Sequence, residues 1–179
     1  GLKPTITMPS HWEIWLPIKD KDKVNKYFKI KRTIIKHEII PFLINKYTFQ
    51  KLKGPISLVS NDVIKINNTD YGKIFYLIKD SYGTWTLVQK LSFAEYLKGV
   101  LPHEIGANSP LEALKAQAVI ARTWAIYNSN RFEADKFHLC VTTQCQVYKP
   151  QIANENIEKA IIDTKNKVLV FEDKPINAF

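Results

Sequence analysis

Ser92-Phe93-Ala94-Glu95-Tyr96-Leu97-Lys98-Gly99-Val100-Leu101-Pro102-His103-Glu104 is the stretch that decides the fold, because the apolar period changes there from that of a strand to that of a helix. Ser92 and Glu95 spell a capping box, in which the serine hydroxyl accepts from the N3 amide and the glutamate reaches back to the cap. Phe93, Tyr96, Leu97, Val100 and Leu101 then follow at helical spacing. Pro102 lacks an amide hydrogen and is expected to stop or kink this short helix.

Downstream, Ser109-Pro110-Leu111-Glu112 reads as a second helix start, with a cap, a proline at N1 and a glutamate at N3. That helix is expected to run to about Tyr127, and its alanines at 113, 116, 118, 121 and 125 make it the candidate central buried helix. An irregular segment from Asn128 to Pro150 holds both cysteines. A short amphipathic helix near Asn154 to Thr164 and a strand from Val168 to Phe171 follow, with a turn at Glu172 to Pro175 and a return strand from Ile176.

Upstream, Ile56 to Val59, Val63 to Ile66, Ile74 to Ile78 and Thr84 to Leu91 are short β-rich runs separated by Asn, Asp and Gly, the residues that hairpin turns favour. They predict a four-stranded meander over residues 54–91. Residues 1–53 mix apolar β-branched residues with lysines in no clean period and read as a strand-rich arm. The class is α+β: a β-rich N-terminal part followed by a mixed helical region, with domains at 1–53 and 54–179.

The 179 residues carry 26 Lys+Arg against 17 Asp+Glu, a net charge of +9. Residues 1–53 hold 12 of these cations and 4 of the anions, whereas residues 92–179 balance at 10 and 10. Only Arg32, Arg122 and Arg131 are arginine, the side chain best suited to bidentate readout of guanine or phosphate, so no nucleic-acid partner is expected. An anionic polymer or an acidic partner surface is equally allowed by the basic third. No run approaches the roughly 18 apolar residues of a membrane helix, so the chain is expected to be soluble, with a membrane involved only through a segment outside it.

The ordered segments Tyr96 to Ile105, Pro110 to Thr123, Leu139-Cys140-Val141-Thr142-Thr143-Gln144-Cys145-Gln146-Val147-Tyr148 and Ala160 to Val170 together resemble the SpoIID/LytB domain family, that of stage II sporulation protein D and the amidase enhancer LytB. Asn166 stands where that family usually has glycine, and Gln144 where many relatives carry histidine. The resemblance spans about residues 91–179. It implies a lytic transglycosylase that cleaves the bond between N-acetylmuramic acid and N-acetylglucosamine in peptidoglycan, outside the cytoplasm in the bacterial envelope. The alternative it implies is a non-catalytic wall-binding module that activates a cell-wall amidase. The family pattern continues past the return strand with a His-Ser and glycine-rich stretch, so the domain is expected to be cut short at Phe179.

By the same resemblance Glu104 is the catalytic glutamate. Read from its surroundings alone, a carboxylate just past a proline break and beside apolar helix is expected to be partly desolvated, which favours the protonated acid. Thr143, Gln144, Gln146 and Tyr148 look like the family's glycan-binding segment, and Arg122 is a candidate for a muramyl carboxylate or for a structural pin. Cys140 and Cys145 leave three readings: a local disulfide, a zinc site with His138 and a further ligand, or buried thiols. The resembled family often pairs cysteines here. The glycan chemistry itself requires no cofactor.

Overall fold

The computed structural model describes residues 55–61, 63–66, 69–150 and 154–178 in full, together with the backbone of five earlier strands. Those are β1 (Thr5–Thr7), β2 (Glu13–Ile18), β3 (Lys26–Ile35), β4 (Glu38–Ile44) and β5 (Phe49–Lys51). The side chains of the basic arm lie outside the described residues. Then come β6 (Ile56–Val59), β7 (Lys65–Ile66), β8 (Thr69–Asp70), β9 (Ile74–Lys79), β10 (Trp85–Lys90), α1 (Phe93–Glu104), α2 (Leu111–Tyr127), α3 (Glu155–Asp163), β11 (Val170–Phe171) and β12 (Lys174–Pro175). The class is α+β. Contacts group the chain into two units, one of residues 7–89 with 134–136, the other of residues 1–6, 90–133 and 137–179.

In the first unit, β6, β9 and β10 are antiparallel neighbours. Their inward positions alternate, so that Phe75 lies opposite Leu58 and Leu77 opposite Leu87, all buried. The run at 63–66 does not join this meander. Its strand part, β7, pairs with β2 and with β8, and belongs to a second sheet of order β5-β4-β3-β2-β7-β8. Partner choice among short strands is set by distant segments rather than by local pattern.

In the second unit three helices pack pairwise. Their buried residues include Tyr96, Leu97, Val100 and Leu101 on α1, Leu114, Ala118, Ala121 and Ala125 on α2, and Ile157, Ala160 and Ile161 on α3. The α2 set recurs at three- and four-residue intervals, the signature of one buried face. Ala116 is exposed and Ala113 half-buried, so only three of the five alanines face the core.

The ends of the helices depart from the sequence expectation in two places. Pro102 lies inside α1, which continues to Glu104 and closes with the Ile105 amide on the Leu101 carbonyl at 3.1 Å. A proline two residues from a helix end forfeits one hydrogen bond, and the buried face of α1 holds the remainder. Pro110, not Ser109, is the N-cap of α2, and the Ser109 hydroxyl donates to the Ile105 carbonyl at 2.7 Å. The capping box of α1 forms as the sequence predicts, and α3 is capped by the Asn154 side chain, which accepts from the Ile157 amide. The return strand is Lys174–Pro175, joined to β11 through Glu172 and Asp173 at φ 47° and 59°. This tight turn places the strand earlier than Ile176.

Candidate functional site at the C-terminal end of α1

Ser92 and Glu95 fix the start of α1: the Glu95 amide donates to Ser92 Oγ at 3.2 Å and the Ser92 amide to Glu95 Oε2 at 2.7 Å. The helix so anchored carries Tyr96, Gly99 and His103 at three- and four-residue steps along one side, with Glu104 as its last residue. Against that side lies the segment from Cys140 to Lys149.

Gly99 is the point of closest approach. A Cβ there would lie 2.2 Å from Cε2 of Tyr148 and 2.8 Å from the Lys149 carbonyl oxygen. The Lys149 amide donates to the Gly99 carbonyl at 3.2 Å. The ring of Tyr148 runs almost parallel to that of Tyr96, 3° between planes and 6.2 Å between centroids. The Tyr96 hydroxyl donates to Oε1 of Gln146 at 2.7 Å, and both side chains are buried.

The segment is closed on itself by the Cys140–Cys145 disulfide. The Cys145 amide donates to the Thr142 carbonyl at 2.9 Å, and the Tyr148 amide to the Val141 carbonyl at 3.4 Å. The tip so formed exposes Thr142, Thr143 and Gln144.

Glu104 and His103 are exposed, so the partial desolvation expected of Glu104 is not present in this structure; the helix runs past Pro102 and carries the carboxylate outward. The phenol of Tyr96 is raised far above its ordinary range, by burial first and then by the Glu104 charge. Glu104 therefore acts electrostatically on the hydroxyl that Gln146 holds. His103 is lowered, by burial first and then by Lys149, with Glu104 opposing. His138 is lowered by burial and then by Lys90.

The structure brings Glu104, Gln146 and Tyr148 to one region, with Tyr148 and Gln146 turned inward as buttresses of α1 rather than outward as a sugar platform. Thr143 and Gln144 are at the exposed tip of the same segment. Arg122 is elsewhere: its Nη1 donates to the carbonyls of Thr164 and Lys167, both at 2.9 Å. Both cysteine sulfurs are committed to the disulfide, and a disulfide sulfur is not the thiolate that zinc takes. Among the described residues no group of three His, Cys, Asp or Glu stands close enough to hold a metal ion. Tyr96 and Gly99 carry roles that sequence reasoning did not assign. The signal was Gly99 itself, since a glycine inside a helix is unfavourable unless another group approaches it.

The first helix of this unit thus presents a terminal glutamate beside a disulfide-closed segment. The model of the SpoIID family, stage II sporulation protein, matches residues 81–171, half of the chain. The chain belongs to that family. An uncharacterized protein of Brachyspira hyodysenteriae is 35% identical over 133 residues, covering 71% of this chain and 35% of its own length. The amidase enhancer of Bacillus subtilis is 44% identical over 82 residues, 46% of this chain and 11% of the relative. Stage II sporulation protein D of the same organism is 33% identical over 107 residues, 51% of this chain and 31% of the relative. The chain thus spans about a third or less of the length of these relatives. The positive φ of Asn166, 62°, gives the physical reason for the glycine usual at that position. No helix among the described residues is long and apolar enough to cross a membrane.

Proposed function

We propose that this chain is the glycan-cleaving part of a peptidoglycan lytic transglycosylase, with Glu104 as the acid and then the base. The observation that carries the reading is the exposed Glu104 at the end of α1, beside a segment fastened to that helix through Gln146, Tyr148 and Lys149.

Hydrolytic glycosidases normally use two carboxylates. The segment from Cys140 to Lys149 contains no Asp or Glu, and the other acid of α1, Glu95, is held in the capping box. One carboxylate suffices for an intramolecular route. Glu104 protonates the glycosidic oxygen as the bond to the anomeric carbon breaks. The resulting carboxylate takes the proton from the sugar's own 6-hydroxyl, whose oxygen closes a 1,6-anhydro ring at that carbon. The proton count closes and no water is consumed. In this reading Thr143 and Gln144 offer hydroxyl and amide partners to the glycan, while Gln146 and Tyr148 hold the helix that bears the acid. The disulfide and the sporulation and amidase-enhancer relatives support an extracytoplasmic place in the bacterial envelope.

Digestion of purified, peptide-stripped glycan strands tests the proposal. Anhydro-ended products that disappear with Glu104→Gln are expected; reducing-end products, or equal activity in that variant, sink it. The second reading, an amidase-activating wall-binding module, is favoured by the 44% identity to the amidase enhancer. It predicts stimulation of a purified amidase with Glu104 dispensable.

A further inference from the structure

The two cysteines of the chain form one bridge, Cys140 to Cys145, with their Cα atoms 5.7 Å apart. Its two sulfurs are not equivalent. Cys145 Sγ accepts from the Cys140 amide at 3.1 Å in a half-buried contact, whereas Cys140 Sγ lies 3.5 Å from the Thr142 hydroxyl at the surface. The amide direction is fixed by the backbone, while the hydroxyl turns about its own bond. An amide hydrogen aimed at a sulfur favours its thiolate and makes it the better leaving group, and access decides which sulfur is attacked. Both criteria select Cys140 for attack and Cys145 for departure.

The bridge also sits between two anchored flanks. Before it, Leu139 is fully buried. After it, Gln146 and Tyr148 are buried against Tyr96 and Gly99 of α1, and the Lys149 amide holds the Gly99 carbonyl. Opening the bond therefore leaves Leu139 and residues 146–149 in place and keeps the two sulfurs near each other, so the pair can close again. What changes is the tip. Thr142, Thr143 and Gln144 then rest on hydrogen bonds within the segment, from the Cys145 amide to the Thr142 carbonyl and from the Tyr148 amide to the Val141 carbonyl. Surface hydrogen bonds of this kind open locally at low cost.

We propose that Cys140–Cys145 is a thiol–disulfide exchange site for a protein dithiol, and that its opening slackens the tip without unfolding the helical unit. The exchange itself stands without the glycan reading. The weaker grip on glycan through Thr143 and Gln144 rests on that reading.

The exchange runs in two steps. A thiolate of the dithiol attacks Cys140 Sγ; the sulfur–sulfur bond breaks, its electron pair leaves on Cys145 Sγ beside the Cys140 amide, and that thiolate takes a proton from water. The second thiol of the dithiol, as thiolate, then attacks the sulfur of its own protein in the mixed disulfide, and Cys140 is released and protonated. Two electrons and two protons pass to the bridge, which ends as two thiols, while the dithiol ends as its disulfide.

The trap for the first step is a thioredoxin whose second active-site cysteine is replaced by serine, incubated with the oxidised chain, quenched with acid and mapped by mass spectrometry after digestion. A mixed disulfide at Cys140 with Cys145 as a thiol is expected, in the parent and equally in Glu104→Gln. The chain opened with dithiothreitol should keep its helical circular dichroism at room temperature, and oxidised glutathione should restore the bridge. An adduct at Cys145, no adduct, or loss of the helical signal on opening overturns the proposal. On peptide-stripped glycan, the double variant Cys140→Ser with Cys145→Ser should raise KM about tenfold with kcat near that of the parent. An unchanged KM overturns the slackened grip. If the parent releases no anhydro-ended product, the glycan reading fails, and the adduct alone decides whether the exchange site stands.

Discussion

The Tyr96 hydroxyl donates to Oε1 of Gln146 at 2.7 Å, joining α1 to the disulfide-closed segment through two buried side chains fifty positions apart. Tyr96→Phe would leave a buried amide oxygen without its donor, a loss of about 1–3 kcal/mol. Urea unfolding of Tyr96→Phe, Gln146→Leu and the double variant should show the second substitution costing less once the first is made. Strict additivity would mean that the bond contributes nothing to the junction.

Gly99 supplies a prediction whose sign is the informative part. On an isolated helix, Gly→Ala stabilises by about 1 kcal/mol. Here the added methyl would lie 2.2 Å from the Tyr148 ring and 2.8 Å from a backbone oxygen, an overpacking that costs about 1–3 kcal/mol. Gly99→Ala is therefore expected to lower the thermal midpoint, and a rise would show that the segment does not press on the helix.

The Cys140–Cys145 bridge closes a short loop, for which chain entropy gives a stabilisation of about 2 kcal/mol. Replacing both cysteines by serine should lower the thermal midpoint, and dithiothreitol should lower that of the parent alone. The variant should be insensitive to the reductant. If the parent melts identically with and without it, the bridge does not stabilise the fold.

Asn166 has φ 62°, in the left-handed region. A residue with a plain Cβ costs about 1 kcal/mol or more there. Asn166→Ala should destabilise by roughly that amount while Asn166→Gly stays close to the parent by urea titration. Equal stability of the two variants would contradict the backbone geometry.

What the sequence made legible was local. The Ser92–Glu95 box and the β-rich runs at Ile56 to Val59 and Ile74 to Ile78 each rest on residues within a few positions of one another, where hydrogen bonds and residue type decide the outcome. What it hid was non-local. Nothing near Lys65 and Ile66 announces that they pair with Ile14 and Trp15 rather than with the adjacent meander. The segment holding Gln146 and Tyr148 has no period, so their inward direction is set only by Tyr96 and Gly99 on another element. Arg122 shows the same limit: its residue type allows a ligand or a pin, and only the carbonyls of Thr164 and Lys167 reveal that its Nη1 acts as a pin.

The two histidines of this unit give a pH dependence of definite sign. His103 and His138 both titrate below ordinary histidine, chiefly through burial, with Lys149 adding to the effect at His103 and Lys90 at His138. Their folded-state values lie below the unfolded one, so folding favours the neutral imidazole. The stability they contribute is fully present above the unfolded pKa of about 6.5 and is lost as pH falls through the folded value. The urea midpoint should therefore drop between about pH 7 and 5, with a shallower slope in His138→Asn. In NMR titrations Lys149→Gln should move the His103 pKa upward, because the opposing Glu104 charge then acts with one cation fewer against it. An unchanged slope and an unmoved His103 resonance would together show that neither imidazole feels these neighbours.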